Sequence, residues 1–535
     1  MASTEQTAVS THKGPETQGE PGTAARRSGK TPPVRYDLVV LGDTLAGIAA
    51  AREAARIGGR IALVKTDEPA GSPPPEAAGA LEHALRHAAH TVWRRSGGTV
   101  AGDRTSGPPI DFPAILRWAE QLRLWLYPDD ALERLAELGV EIYAGPAAFV
   151  RPDRLEIGHR EIGYRRAVLA TGTRPAPPSI EGAEQTCCLT AAELGRLERP
   201  PERLAILGTG PRACQWAQTF CRLGSEVWLI GSEPALLCGE DPAAAAIVQE
   251  QLEKEGVRLQ LGCQKVSVDR TGHQCVVILD RAGEREKRFC DHVLADAPRV
   301  ASTAGLGLEA AGIAATDRGV AVDQRLRTSS PRVFAAGDVC GAEFFCGADL
   351  SRPEVAEAMG RLAAGNAVRW WPREFDPAIV PHYVFTDPAI ARVGWTRGEA
   401  AARRIEAETF RVDLADVRGP ALEGDERGLV AVHVRRGTGR VLGACCVAEE
   451  AVELIAPLAV LIAKRMPLTA LAEVIPYRPS QLDVLARIAG LHARLQRPTT
   501  WRDWLRRGRW GWRSPRSAAT PADAGPAPPE IVDQW

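Results

Sequence analysis

No cysteine occurs before Cys187 in this chain of 535 residues, and no two cysteines take the C-x-x-C spacing of a zinc site. Four of the twelve form the adjacent pairs Cys187-Cys188 and Cys445-Cys446, which bridge poorly, so most are expected to be small buried apolar residues in a reducing compartment. No metal site is expected. Excess charge of one sign is missing too: 66 basic residues stand against 67 acidic, which leaves no field to draw in nucleic acid. Long apolar runs are absent. The longest, near Ile455 to Ala463, contains Pro457 and is far too short to span a bilayer, and the N-terminus lacks the apolar core of a secretory signal. These absences predict a soluble, cytoplasmic protein.

What is present is a length that one core cannot fill, so three packed domains plus tails are expected. Residues 1–34 are Ser, Thr, Gly, Pro and charge without apolar period and are expected to be a disordered tail. Residues 491–535 read as a basic-aromatic segment followed by a Pro/Ala-rich disordered tail. Within it, Trp501 to Arg513 mixes four Trp with five Arg, a composition that suits either weak membrane-surface contact or packing onto the protein's own dimer.

Between the tails, short aliphatic runs alternate with Ala-rich helical stretches, the pattern of a doubly wound parallel sheet. The pattern occurs twice. Tyr36 to Leu41 leads through Gly42-Asp43-Thr44-Leu45-Ala46-Gly47 into a helical run ending at Ile57 and a strand ending at Val64. Arg203 to Leu207 leads through Gly208-Thr209-Gly210-Pro211-Arg212-Ala213 into a helical run ending at Leu223 and a strand ending at Ile230. From 376 to 490 the pattern becomes α+β. The fold class is therefore α/β, with two Rossmann-like dinucleotide-binding domains and a smaller α+β domain.

In a G-x-G-x-x-G/A turn the first Gly makes the bend, the second lets a pyrophosphate approach the backbone, and the third allows close helix packing. Gly208, Gly210 and Ala213 satisfy all three, and the phosphate would sit on the helix N-terminus. The first turn is altered. Gly42 and Gly47 are kept, but Thr44 takes the second Gly position, Asp43 adds a negative charge, and Lys65 replaces the usual acidic residue at the strand end. The alternative at each turn is a nucleotide-free structural unit. After Ile230, Gly231-Ser232 leaves room for a 2′-phosphate while Glu233 favours its absence, so NAD and NADP both stay open.

These residues resemble the pyridine nucleotide-disulphide oxidoreductase family over about 36–490. The resemblance also rests on Ala170-Thr171-Gly172-Thr173-Arg174-Pro175, on Thr328 to Asp338 (TSSPRVFAAGD), and on Phe385-Thr386-Asp387-Pro388 with Val393-Gly394-Trp395-Thr396. It implies an FAD-binding domain from 35–175 and 300–370, an NAD(P)-binding domain from 176–299, and a dimerisation domain from 376–490 that makes a homodimer. It implies FAD at Gly42, Thr44, Gly47, Thr171, Gly172 and Asp338, the Asp on the ribityl chain. Nicotinamide nucleotide is implied at Gly208, Gly210, Ala213 and Ser232.

The family's redox segment aligns through Ala84-Leu85-Arg86-His87-Ala88, which puts Pro74 and Gly79 where its disulfide cysteines belong and His83 where its flavin-facing Lys belongs. The Glu that pairs with that Lys falls at Gln215. His83 and Gln215 are thus the only, weak, catalytic candidates. The C-terminal His-Glu motif reads Arg478 to Asp483, and Arg478 cannot act as a base near neutral pH. The ALRHA run is similar to the soluble transhydrogenases within the family. The expectation is an FAD-dependent NAD(P)H oxidoreductase that needs no dithiol and passes hydride to a small-molecule acceptor, either another nicotinamide or a quinone or dye. The alternative is a catalytically degenerate paralogue with a binding or scaffold role.

Overall fold

The computed structural model describes residues 34–495 except 66–74, 97–109, 129, 177–179, 183–187, 273, 282, 296–298, 342–344, 346–349, 351, 418–426 and 476–479. Pro74, Cys187, Cys346, Arg478 and the segment from Trp501 to Arg513 therefore lie outside the described residues.

The strand Arg35–Leu41 is buried along its length except at Arg35 and Asp37, because its aliphatic side chains lie in the hydrophobic core of the first unit. It pairs in parallel with Ile61–Lys65 on one side and with Arg160–Leu169 on the other. Glu141–Ala144 extends one edge, and the antiparallel strands Arg154–Ile157 and Ala147–Arg151 extend the other. The short strand Val333–Ala335, far along the chain, pairs with Arg160–Leu169 and completes the same sheet.

Helix α1 (Leu45–Ile57) follows the first strand, capped by Thr44, and buries Ala46, Ala49, Ala50, Ala51 and Ala54. This small-residue face lets another helix come close. A Cβ added to Gly360 would stand 2.1 Å from the Ala46 carbonyl oxygen, so only Gly fits there. After α1 come α2 (Pro75–Arg95) and α3 (Phe112–Leu126), which pack against each other, then α4 (Ala131–Glu137).

The second nucleotide-type unit is a five-stranded parallel sheet in the order Arg258–Gln260, Glu226–Ile230, Arg203–Leu207, His292–Ala295, Cys188–Leu189. Helices α5 (Pro211–Arg222) and α6 (Pro242–Lys254) are its crossovers. A three-stranded antiparallel sheet, Lys265–Thr271, Gln274–Arg281 and Glu284–Cys290, packs beside it. Helix α7 (Pro353–Val368) then returns to the first unit and lies along α1. The third unit is an antiparallel sheet whose inner strands are Ala389–Gly394, Val441–Ala448 and Leu429–Arg435, backed by the helix Ala451–Ala463. That helix continues through Pro457. No helix among the described residues is long and apolar enough to cross a membrane.

Of the described cysteines nine are free, as expected, but Cys275 is disulfide-bonded, which departs from the reading of these residues as reduced thiols.

One buried charge cluster joins the units. Arg222, at the end of α5, has a side chain only 3% exposed and meets Glu255, 1% exposed, through two hydrogen bonds of 2.8 and 2.6 Å. The Glu255 carboxylate also accepts from Gln218 at 2.9 Å and Gln251 at 2.6 Å. Arg222 reaches Asp387 of the third unit at 2.9 Å, and the Trp93 ring of α2 covers its guanidinium. Asp387 in turn lies 3.3 Å from the His90 ring of α2, and its backbone is held by Gln218 through both amide atoms.

A buried pair with one partner removed leaves an uncompensated charge. Arg222→Met should cost about 3–5 kcal/mol, read as a lowered denaturation midpoint, while Arg222→Met with Glu255→Leu should recover part of the loss. Burial, the largest influence on Asp387, pushes its pKa up, but His90 and Arg222 together outweigh burial and pull it down to about 2. Stability from this carboxylate is present above its unfolded value of about 4 and is lost as pH falls toward about 2. Acid titration of the thermal midpoint should show that loss, and Asp387→Asn should remove it.

Candidate nucleotide and flavin site

The second Gly turn leaves the end of Arg203–Leu207 with Gly208 at φ +139°, where a side chain would be strained. Gly210 caps α5 without any side-chain bond, and a Cβ built on it meets nothing within 4 Å. That open space above a helix N-terminus is what an approaching phosphate needs. Ala213 packs beneath: a Cβ on Gly208 would lie 3.3 Å from its methyl. Thr209 folds across the mouth of the next strand, where a Cβ on Gly231 would stand 2.2 Å from its methyl. Ser232 follows and is exposed. The structure thus gathers Gly208, Gly210, Ala213 and Ser232 at one sheet end.

At the first turn Gly42 has φ +107°, and a Cβ there would stand 2.1 Å from the Ala170 carbonyl oxygen; one on Gly47 would stand 2.0 Å from that of Gly42. Both glycines are therefore required by the backbone itself. Thr44 does more than add bulk. Its hydroxyl donates to the Ala170 carbonyl at 2.8 Å and accepts from the Gly47 amide at 3.4 Å, while its methyl stands beside Gly172. The substitution thus supplies the helix cap that a Gly would lack.

Gly172, with φ +70°, lies between Thr44 and Asp338, and Thr171 donates to the Ser302 carbonyl at 2.8 Å. The Asp338 carboxylate accepts from the Thr173 hydroxyl, and Arg299 donates to that hydroxyl at 2.7 Å and to the Thr173 carbonyl at 2.8 Å. Arg299 Nε lies 4.0 Å from Asp338. Sequence reasoning found Asp338 but missed Thr173 and Arg299 as its supports. Arg299 carries no motif; strand pairing between Arg299–Ala301 and Thr173–Pro175 brings it there.

The residues of this first cluster fit a bound flavin nucleotide. Gly172 leaves the approach to Asp338 free of a side chain, and the Asp338 carboxylate could accept from a hydroxyl of such a group. The N-terminus of α1 would face the pyrophosphate.

The two catalytic candidates do not meet in the way the ion-pair alignment implies. Gln215 is buried on α5 and, in the amide orientation that satisfies both ends, donates to the Glu82 carboxylate and accepts from the Phe385 amide at 2.8 Å. Its partner is the residue before His83. The His83 ring instead stacks near His87 and Trp118, with Nδ1 3.1 Å from Arg86. Burial first, then Arg86 and His87, push its pKa below the usual imidazole range. Arg86 lies over the Phe385 ring at 4.2 Å, a contact that fixes the α2 face next to Gln215.

Gly79 lies exposed on α2 with nothing within 4 Å of a built Cβ. Burial pushes the Cys214 thiol up to about 12, and it pushes the Cys340 thiol above its ordinary value as well. Such thiols stay protonated near neutral pH and are poor nucleophiles. Among the described residues no group of three His, Cys, Asp or Glu could hold a metal ion.

Two Gly turns opening at the ends of parallel strands in two separate sheets, one beside an acceptor carboxylate, define a two-nucleotide oxidoreductase fold. Residues 36–362 match the family model described as pyridine nucleotide-disulphide oxidoreductase, and residues 380–487 match that family's dimerisation domain. The chain belongs to the pyridine nucleotide-disulphide oxidoreductase family.

It is 33% identical over 433 residues to a mercuric reductase of Streptomyces lividans, a match covering 78% of this chain and 88% of that protein. It is 30% identical over 429 residues to a soluble pyridine nucleotide transhydrogenase of Hahella chejuensis, covering 79% and 89%. Among solved structures, LpdA from Mycobacterium tuberculosis superposes with a TM-score of 0.73 at 26% identity, covering 87% of this chain and all (100%) of that one. The HOCl-induced flavoprotein disulfide reductase RclA from Escherichia coli shares the fold, with a TM-score of 0.71 at 24% identity over 85% of this chain and 100% of that one. The protein is a flavin-dependent oxidoreductase of a family that binds FAD and NAD(P)H, and its dimerisation domain supports a homodimer.

Gly210→Val should abolish NADH and NADPH binding while the fold survives, since the added side chain enters open space and costs only about 1 kcal/mol as a poorer cap. Asp43→Ser with Thr44→Gly should tighten FAD retention. Isothermal titration of both variants against FAD, NADH and NADPH reads the result; unchanged nicotinamide affinity in the Val variant contradicts the assignment.

Proposed function

We propose that this protein is an FAD-dependent NAD(P)H oxidoreductase that works without a redox disulfide, passing hydride from nicotinamide to flavin and on to a small acceptor. The observation that carries this reading is the surface of α2. Gly79 stands exposed and thiol-free where the family's segment carries a cysteine, beside a Glu82–Gln215 hydrogen bond in place of a Lys–Glu ion pair.

On this reading residues 35–175 with 300–370 hold FAD and 176–299 hold the nicotinamide nucleotide. Gly208, Gly210 and Ala213 seat the nicotinamide pyrophosphate, with Ser232 at the adenosine ribose. Gly42, Thr44, Gly47, Thr171 and Gly172 shape the flavin nucleotide cradle, and Asp338, oriented by Thr173 and Arg299, takes a ribityl hydroxyl. When bound, FAD supplies the exchange of hydride for electrons that a side chain cannot perform. The protein holds both nucleotides and keeps a carboxylate-amide pair, Glu82 and Gln215, on the adjoining faces of α2 and α5. With no cysteine at Gly79 on α2, this reading favours acceptors that take hydride or electrons directly, a second nicotinamide or a quinone.

The purified, FAD-loaded chain should oxidise NADH or NADPH with menadione or a thionicotinamide analogue as acceptor. It should show no turnover with mercuric ion, dihydrolipoamide or glutathione disulfide. Dithiol-dependent turnover that survives serine replacement of Cys187, Cys188, Cys340 and Cys346 overturns the reading. Colourless protein that FAD cannot reconstitute supports the scaffold alternative instead.

A further inference from the structure

The end of the first nucleotide unit carries a feature that redox chemistry does not use. Directly after α7, Trp370 and Trp371 are 94% and 87% exposed, two adjacent indoles displayed almost completely to solvent. Large apolar side chains exposed side by side are unusual on a soluble surface and mark a contact site.

The turn that displays them is rigid. The Arg369 amide donates to the Gly365 carbonyl at 2.9 Å, and the Arg369 guanidinium pairs with Glu53 of α1 at 2.9 Å. At the other end Asn366, buried on α7, clamps the chain with both amide atoms. Its Nδ2 donates to the Arg373 carbonyl at 2.8 Å and to the Arg325 carbonyl at 2.9 Å, and its Oδ1 accepts from the Arg373 amide at 2.8 Å. Pro372 stiffens the middle of the turn. The indoles are therefore held outward without an ordering cost at the moment of contact.

Their surroundings are basic. Gly360 abuts Ala46 and Arg369 pairs with Glu53, so α7 and α1 run side by side in the same direction and end together. The exposed residues at that shared end include Arg56, Ile57, Val368, Trp370, Trp371 and Arg373, with Glu374 beside them. Of the nearby acids, Glu53 pairs with Arg369 and Glu374 with Arg325, while Asp376 accepts from the Ala378 amide at 2.9 Å.

We infer that Trp370 and Trp371, framed by Arg56 and Arg373, form a docking surface for an anionic lipid bilayer. Indoles seat at the headgroup level, where one edge stays wet and the body is apolar, and each arginine gains from the negative surface potential. A protein partner would need a complementary acidic-apolar face, whereas a bilayer offers both chemistries everywhere. The sequence from Trp501 to Arg513 repeats the same Trp/Arg composition, so the chain carries this chemistry twice.

The test is cosedimentation of the full FAD-loaded chain with vesicles of phosphatidylcholine alone and of phosphatidylcholine with phosphatidylglycerol. Binding to the mixed vesicles only, weakened by added salt, is expected. Trp370→Ser with Trp371→Ser should lower that binding by about tenfold or more with flavin content and light-scattering mass unchanged. Arg56→Glu with Arg373→Glu, which keeps both indoles, should lower it as well. Failure of the parent to bind, equal binding to neutral vesicles, or a tryptophan variant that binds like the parent overturns the proposal. So does a change in oligomeric mass in that variant, which would make the patch a contact between copies of this chain.

Discussion

The rest of this architecture leans on one buried ion pair, Arg222 with Glu255. Neither side chain reaches water, so each depends on the other and on the amides of Gln218 and Gln251 to offset the loss of hydration. Because Arg222 also holds Asp387, and Asp387 holds His90, the pair fixes three things at once. It sets where α5 ends, where α2 lies over it, and where the third unit attaches. The nucleotide turn at the start of α5 is four helical turns of rigid body away from this anchor or less, so its aim relative to α2 is set by the same contact.

The Glu82–Gln215 hydrogen bond shows how an amide can sit against a carboxylate where two charges would conflict. A lone carboxylate at 215 facing Glu82 would place two like charges together in a region shielded from water. An amide removes the repulsion and uses both its ends, one on Glu82 and one on the Phe385 backbone. The neighbouring positive groups are Arg86 and Arg352, both over the Phe385 ring.

Much of the fold was legible because its signals are local. Each Gly turn is a run of six residues between a strand and a helix, and the strands at Leu429–Arg435 and Val441–Ala448 announce themselves by continuous aliphatic runs. Asp338 was legible for the same reason, as one residue of a contiguous motif. The support around it was not, because Thr173 and Arg299 belong to segments far apart in sequence that only pairing brings together. Gln215 was singled out by alignment, yet the residue it meets could not be read. Which face of α2 turns toward α5 is set by packing of the whole helix, and a shift of one position exchanges His83 for Glu82.

The first sheet is stitched from both ends of a long stretch of chain. Val333–Ala335 must reach the strand Arg160–Leu169, while everything that builds the second sheet, from Cys188 to Ala295, lies between them. A ribosome therefore releases the inner unit whole before the outer one owns its last strand. The inner unit can close by itself, and in closing it draws the chain's two distant outer segments toward each other and shortens the loop that the final pairing must span. Folding order is thereby written into the way one domain is inserted in another, with the nicotinamide-type turn formed on the nascent chain while the flavin-type cradle still waits for its aspartate.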